Sequence, residues 1–184
     1  MENMDEMDYV KRILDGDTKL FSVFLERHQR QVHSLIRQII PCREDAEELT
    51  QDVFLKAFRN LDSFRGDCSI STWMHRIAYN TAISATRKMK ISYPVFDEYL
   101  LNNIPDDSVD RLLDCDEDEE LMQKLEKAIG LLEPQEQALI SLYYNHSKPV
   151  NEISVILQIS PDNVKVRLHR ARKKIVLMIN ENKI

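Results

Sequence analysis

The chain of 184 residues is 43% apolar and 30% charged, with six prolines, three glycines and a formal charge of −6. That length allows one medium domain or two small ones, and so few turn-forming residues point to a largely helical protein with short connections. No apolar run approaches the roughly 20 residues of a membrane span, and the acidic start MENMDEMDYV is unlike a secretory signal, so a cytoplasmic protein is expected.

A short helical segment over residues 9–14 can place Val10, Ile13 and Leu14 on one face. Asp15-Gly16-Asp17 interrupts it, and Asp17 can cap the next helix. Phe21, Phe24, Leu25, His28, Val32, Leu35, Ile36 and Ile39 then recur at helical spacing, the pattern of a long amphipathic helix ended by Pro41. His28 falls on that stripe, as a core or boundary histidine would.

The next helix is expected to open at Asp45, with acids in its first turn where the helix dipole favours them. Its apolar stripe is Ala46, Leu49, Val53, Phe54, Ala57, Phe58 and Leu61. Glu48, Gln51, Asp52, Leu55 and Arg59 share the opposite face. Such a face is ordinarily solvated, but Leu55 among polar residues also fits a docking surface with an apolar centre and a polar rim.

Residues 62–69 read as a loop in which Gly66 can take positive φ. Ser69 or Ser71 then caps a helix running to about Lys88, with Trp73, Met74, Ile77, Ala78, Thr81 and Ala85 directed inward. Arg76, Asn80, Ile83 and Arg87 align on another face, with Lys88 and Lys90 beyond. From Cys68 to Phe96 the sequence contains no Asp or Glu. Basic and amide groups without a neighbouring acid suit phosphates and base edges, or equally a merely basic solvated face.

Residues 91–118 hold Pro94 and Pro105, show no sustained period and grow more acidic, as a linker between domains would. From Asp97 to Glu120 eleven acids face Arg111 alone, a net charge of −10 where the whole chain carries −6. The remainder is therefore net basic, and the overall charge does not argue against a nucleic-acid partner. A helix through Leu121, Leu125, Ala128 and Ile129 follows the tract. Pro134 starts another, with Ala138, Leu139, Leu142 and Tyr143 as its apolar residues.

A short helix over residues 150–157, the turn Gln158-Ile159-Ser160 and a helix with Pro161 at its first position form a helix-turn-helix pattern. Val164, Leu168, Ala171 and Ile175 are the inward stripe of the last helix. Lys165, Arg167, Arg170, Arg172, Lys173 and Lys174 cover much of the rest, as in a helix that enters a major groove.

Cys42, Cys68 and Cys115 are odd in number and widely spaced, and the five histidines show no H-x-x-x-H pair. That spacing leads us to expect neither a disulfide framework nor a metal site. No residue cluster resembles an acid–base pair, a nucleophile site or a phosphate-binding glycine loop, so no catalytic role and no cofactor is expected.

The blocks DAEELTQDVFLKAFRNLDSFRGDCSISTWMHRIAYNTA and ISVILQISPDNVKVRLHRARKKI resemble regions 2 and 4 of the bacterial RNA polymerase sigma factors of the extracytoplasmic-function (ECF) group. The resemblance implies an all-α protein of two small helical domains, region 2 over residues 1–92 and region 4 over residues 119–184, joined by a flexible acidic linker over residues 93–118. It implies a factor that binds core RNA polymerase, selects promoters and opens the −10 element. By position, Glu48, Gln51, Asp52, Leu55 and Arg59 would meet the β′ clamp helices. Phe64, Arg65, Asp67 and Ser69 would capture a flipped base of the −10 element, and Arg76, Asn80, Arg87 and Lys88 would hold the opened strand. Asn163, Lys165, Val166, Arg167, His169, Arg170 and Lys173 would read the −35 duplex while the same module rests on the β flap. An anti-sigma protein, frequently membrane-anchored in this family, is a further expected partner.

Three departures from the family pattern stand out. Gln158 occupies the turn position where relatives often have glycine, so either the turn has another geometry or Gln158 accepts left-handed strain. The lead-in YNHSKPVNEIS lacks the usual glycine, and Val166 stands where small polar residues are common; a valine there could pack against a thymine methyl. The acidic tract could occupy basic polymerase channels or simply remain a solvated spacer. The alternative function is a stand-alone helix-turn-helix regulator of a duplex operator, which would leave residues 45–90 without a role; a helical protein-binding adaptor fits the basic last helix less well.

Overall fold

The computed structural model describes residues 6–89, 92–105 and 119–180. The described residues contain helices and turns and no strand. The helices are α1 (Glu6–Leu14), α2 (Thr18–Ile39), α3 (Arg43–Arg59), α4 (Ile70–Thr86), α5 (Glu98–Asn102), α6 (Glu119–Leu131), α7 (Pro134–Ile140), α8 (Val150–Leu157) and α9 (Pro161–Asn180). Leu61–Ser63 adds a 3₁₀ turn and Ser141–Asn145 a π turn that continues α7.

Helices α2, α3 and α4 form a bundle around Val32, Leu35, Ile36, Ala46, Val53, Ala57, Met74 and Ala78, all fully buried. Asp17 caps α2 by accepting from the Leu20 N–H at 3.2 Å and holds Arg12 of α1 at 2.9 Å. The Leu20 N–H contributes most to a carboxyl held below its usual range. Helix α3 starts at Arg43, two residues before the expected opening at Asp45; Cys42 stands at its cap without a side-chain bond. Helix α4 is capped twice: Ser69 Oγ accepts from the Thr72 N–H at 3.2 Å, and Glu6 of α1 accepts from the Ile70 N–H at 2.9 Å. Two oxygens thus satisfy amides that begin a helix and have no intrahelical partner.

A second bundle is built from α6–α9 around Ala128, Leu132, Leu139, Leu142, Ile153, Ile156, Val164 and Ala171. Gln137 ties the α6–α7 corner by donating from Nε2 to the carbonyls of Gly130 and Leu132 at 2.9 and 2.8 Å. Gln158 does take the left-handed conformation, φ 58° and ψ 43°, which leaves the helix-turn-helix geometry intact without glycine.

The two bundles are not held apart. Helices α7 and α8 pack on α2 and α4, and the buried apolar residues of both halves form one continuous cluster. The expected free linker is also only part of the picture: within it α5 is helical and lies against α9. The acidic stretch over residues 106–118, including Cys115, lies outside the described residues.

Candidate nucleic-acid interface

Helix α4 has three functional sides. One supports the core with Met74, Ala78 and Ala82, and a second, exposed side carries Arg76 and Asn80, with Arg87 and Lys88 exposed just past the end of the helix. Between that exposed side and the end of α3 lies a cleft of about 380 Å³, lined among others by Lys56, Asn60, Trp73, Asn80 and Ser84. Lys56 Nζ donates to Thr81 Oγ1 at 3.2 Å, Asn60 Nδ2 to the Lys56 carbonyl at 2.7 Å and Ser84 Oγ to the Asn80 carbonyl at 2.7 Å. A cation, two amides and an indole around one cleft suit a base and its phosphate: the ring gives a stacking surface and the amides can pair with base edges. Sequence periodicity did not single out Lys56 and Asn60, because they stand on a different helix from Asn80.

The loop residues separate into two groups. Arg65 and Asp67 are exposed and Ser69 is half-buried as the α4 cap. Phe64, expected to meet a flipped base, is instead 4% exposed and packs edge-on against Trp73 with ring centroids 5.7 Å apart. It braces the indole that lines the cleft, because the turn at Leu61–Ser63 directs the next side chain back into the bundle. Gly66 follows at φ 77°, and a Cβ there would stand 3.1 Å from Met7 Sδ. Glycine is favoured both by the left-handed backbone and by that close approach.

On the neighbouring face, Glu48, Gln51, Asp52, Leu55 and Arg59 are all exposed along α3. Of these, Gln51 and Leu55 line a groove of about 390 Å³ between α2 and α3 whose apolar wall includes Phe21, Leu25, Phe54, Leu55 and Phe58; Glu48, Asp52 and Arg59 stand outside its lining. Phe58 was expected on the inward stripe but is 53% exposed, as exposed as Leu55, with its ring 4.7 Å from that of Phe21. Its position at the margin of the stripe, near the end of α3, leaves it outside the bundle.

In the second bundle, Ser160 Oγ accepts from the Asn163 N–H at 3.3 Å and starts α9. Asn163, Lys165, Val166, His169 and Arg170 are exposed, and Arg167 and Lys173 half-buried. Arg167 Nε donates to Asn163 Oδ1 at 3.0 Å, which aligns the guanidinium along the helix. Two cations of the same helix face elsewhere: Arg172 lies 5.3 and 5.4 Å from the ring centroids of Tyr143 and Tyr144, and Lys174 pairs with Glu136 at 2.6 Å. Such contacts hold α9 to α7 and the π turn.

The third side of α4 is a buried seam with the second bundle, and no sequence pattern pointed to it. Thr72 donates to Glu152 of α8; Lys148 Nζ reaches Glu152 at 2.8 Å and Ser71 Oγ at 3.2 Å. His75 and His146 meet edge to face with ring centroids 5.0 Å apart. Burial pushes His75 down to about 4, with the Ser71 carbonyl opposing that and His146 and Lys148 reinforcing it. His28 also falls to about 4 through burial and nearby Arg27 and Lys148, and burial lowers His146. Among the described residues, no group of three His, Cys, Asp or Glu is placed to hold a metal, and no helix is long and apolar enough to cross a membrane.

Residues 24–90 match the family model for Sigma-70 region 2, and residues 122–175 that for Sigma-70, region 4. The ECF RNA polymerase sigma-E factor of Haemophilus influenzae is 30% identical over 190 residues, spanning 100% of this chain and 97% of that protein. The sigma-E factor of Escherichia coli K12 is 42% identical over 81 residues, 44% of this chain; the match spans only 42% of that relative's length. Among solved structures, CnrH in complex with the cytosolic domain of CnrY superposes with a TM-score of 0.68 at 21% identity, covering 94% of this chain and 96% of that one. The sigma factor RpoE of Bartonella quintana, in complex with the anti-sigma factor NepR, gives 0.64 at 18% identity, covering 87% and 96%. These two likenesses concern the fold; the full-length sequence match settles the family, and the chain belongs to the ECF RNA polymerase sigma factors of the sigma-70 family.

Proposed function

We propose that the chain binds core RNA polymerase, directs it to promoters and opens the −10 element. The observation that carries this reading is the juxtaposition on one bundle of an apolar groove with a polar rim and an acid-free cleft with a cationic wall. The groove, lined by Leu55, Phe58, Gln29 and Gln51, takes an amphipathic helical partner such as the polymerase clamp, with Glu48, Asp52 and Arg59 exposed along the same helix as further contacts. The cleft of Lys56, Asn60, Trp73 and Asn80 takes an unpaired base. Arg65, Asp67 and the cap Ser69, on the loop that leads into α4, meet the flanking nucleotides, and Arg76, Arg87 and Lys88 hold the strand. Residues 1–92 act as the core-binding and melting domain and residues 119–184 as the duplex-reading domain. In the latter, Asn163, Lys165, Val166, Arg167, His169, Arg170 and Lys173 present the reading face, and the module rests on the polymerase flap.

An anti-sigma protein competing for the α2–α3 groove is part of the same reading; the Bartonella quintana relative above was solved in complex with an anti-sigma factor. Val166, 55% exposed on the reading face, packs against a thymine methyl. Exchange to serine shifts the preferred −35 bases in a promoter-library selection, and unchanged preference would remove that role.

The deciding experiment mixes the purified chain with core polymerase and genomic DNA of the encoding organism, then maps transcript starts and unpaired thymines. Starts sharing a common upstream element, absent without the chain, support the reading. Specific duplex binding by the chain alone, with no core-dependent starts, would replace it with the stand-alone regulator.

A further inference from the structure

Helix α5 is short, but it is placed on the face of α9 that the reading above gives to DNA. Asp97 caps it by accepting from the Tyr99 N–H at 2.8 Å. One turn later Leu101 is 7% exposed, which is unusual for a leucine in an otherwise solvent-facing connection. It sits at a cleft of about 320 Å³ whose α9 wall is Lys165, Val166, His169, Arg170 and Lys173. Ahead of that leucine, Glu98 approaches Arg170 Nη2 at 3.5 Å and the Phe96 ring lies 5.2 Å from Lys174 Nζ. A buried leucine and a carboxylate thus stand against the apolar and cationic parts of one helix face, while Phe96 anchors the segment on the neighbouring Lys174.

We propose that residues 96–102 are a built-in occupant of the DNA-reading face of α9, which must leave before that helix can enter a major groove. The inference rests on α9 being the duplex reader. Steric exclusion is the first argument. A helix with its side chains is about 10–12 Å across, and the major groove is about 12 Å wide, so α9 fills the groove alone and α5 has no space beside it. Charge is the second. Glu98 stands against Arg170 where a phosphate oxygen would be drawn, and its own negative charge repels the backbone. The segment immediately precedes the acidic residues 106–118, so any pull on the linker when polymerase binds is transmitted to α5 through few residues. Reading of duplex DNA is thereby coupled to displacement of the linker.

The test uses the full chain, with Leu101→Ser and Glu98→Gln as separate variants and Glu26→Gln on exposed α2 as a charge-matched control. Anisotropy of a short, dye-labelled, mixed-sequence duplex reports affinity at fixed salt. Removing an occupant raises the competent fraction, so Leu101→Ser is expected to bind about fivefold tighter or more. Glu98→Gln is expected to gain more than Glu26→Gln, and because Glu98 is a surface side chain this variant keeps the fold. Binding by both variants equal to that of the parent and the control overturns the inference. Arg167→Ala added to each variant separates that failure from failure of the premise. If it weakens duplex binding while the single variants gain nothing, α9 reads DNA but is not covered. If it changes nothing in any background, α9 is not the reader and the inference falls with its premise.

Discussion

Lowering the pH should open the seam between the two bundles, and His75 sets the size of the effect. Its Nδ1–H donates to the Ser71 carbonyl at 2.7 Å, and its Nε2 is buried with no hydrogen-bond partner among the described residues, as is His146 Nε2. A second proton on either ring would be a buried charge beside Lys148, which already holds Glu152 and Ser71. Glu152 is itself drawn in opposite directions: burial raises its carboxyl, and the bonds from Lys148 and Thr72 outweigh that and leave it below the usual range. It therefore stays ionised until the pH falls below the ordinary carboxylate range. Because burial depresses the His75 pKa from 6.5 to about 4, closure is fully stabilised above 6.5 and is lost as pH falls through that window.

At about pH 5 an exposed histidine is almost wholly protonated and the buried one is not. The closed form is then disfavoured by roughly thirtyfold, about 2 kcal/mol, from His75 alone. His146, whose pKa burial also lowers, acts in the same direction. Energy transfer between dyes on Glu47→Cys and Asn180→Cys, in a chain whose native cysteines are serine, measures closure, while far-UV circular dichroism monitors the helices. The expected result is a loss of transfer between neutral pH and pH 5 at constant helicity, with most of the response absent in His75→Gln. Equal transfer at both pH values, or an undiminished response in His75→Gln, would refute the reasoning.

Three further outcomes follow from the packing. Leu55→Asp places a charge in the α2–α3 groove and should weaken core polymerase binding at least tenfold in a competition assay, with the melting temperature unchanged because Leu55 is half in solvent. Phe64→Ala removes a buried ring braced on Trp73 and should cost about 3–5 kcal/mol of stability in urea unfolding; a loss of promoter opening with wild-type stability would instead return Phe64 to the DNA. Gln158→Gly relieves a left-handed residue and should raise stability by about 1 kcal/mol, read as a higher urea midpoint at constant slope.

Helix periodicity was sufficient for the elements themselves. The apolar spacing in α2 and α9, and in α3 apart from Phe58, predicted which residues each helix turns toward its own bundle, and Ser160-Pro161 marked the start of α9. The acid-free run and the Leu55 face were also visible, since charge and hydropathy are local properties. Even the strain at Gln158 could be anticipated from the turn it occupies.

What a one-dimensional pattern cannot contain is the identity of whatever covers a face. A helix repeats every 3.6 residues, so sequence spacing sorts side chains onto faces but gives every face of a partly polar helix a choice between solvent and a neighbour. Tertiary packing made that choice for α4. Thr72, His75 and Tyr79 look like interruptions of an amphipathic pattern, and they are buried against or beside a second bundle far along the chain. It decided against Phe58 as core and for Phe64 as core, because the end of α3 runs past the bundle while the turn after it folds back. It also brought Lys56 and Asn60 to Asn80 across two helices, and laid Leu101 against Lys165, Val166 and Arg170 of α9. The sequence determined the helices and their chemistry; contacts between residues distant in sequence determined which of those chemistries face a partner.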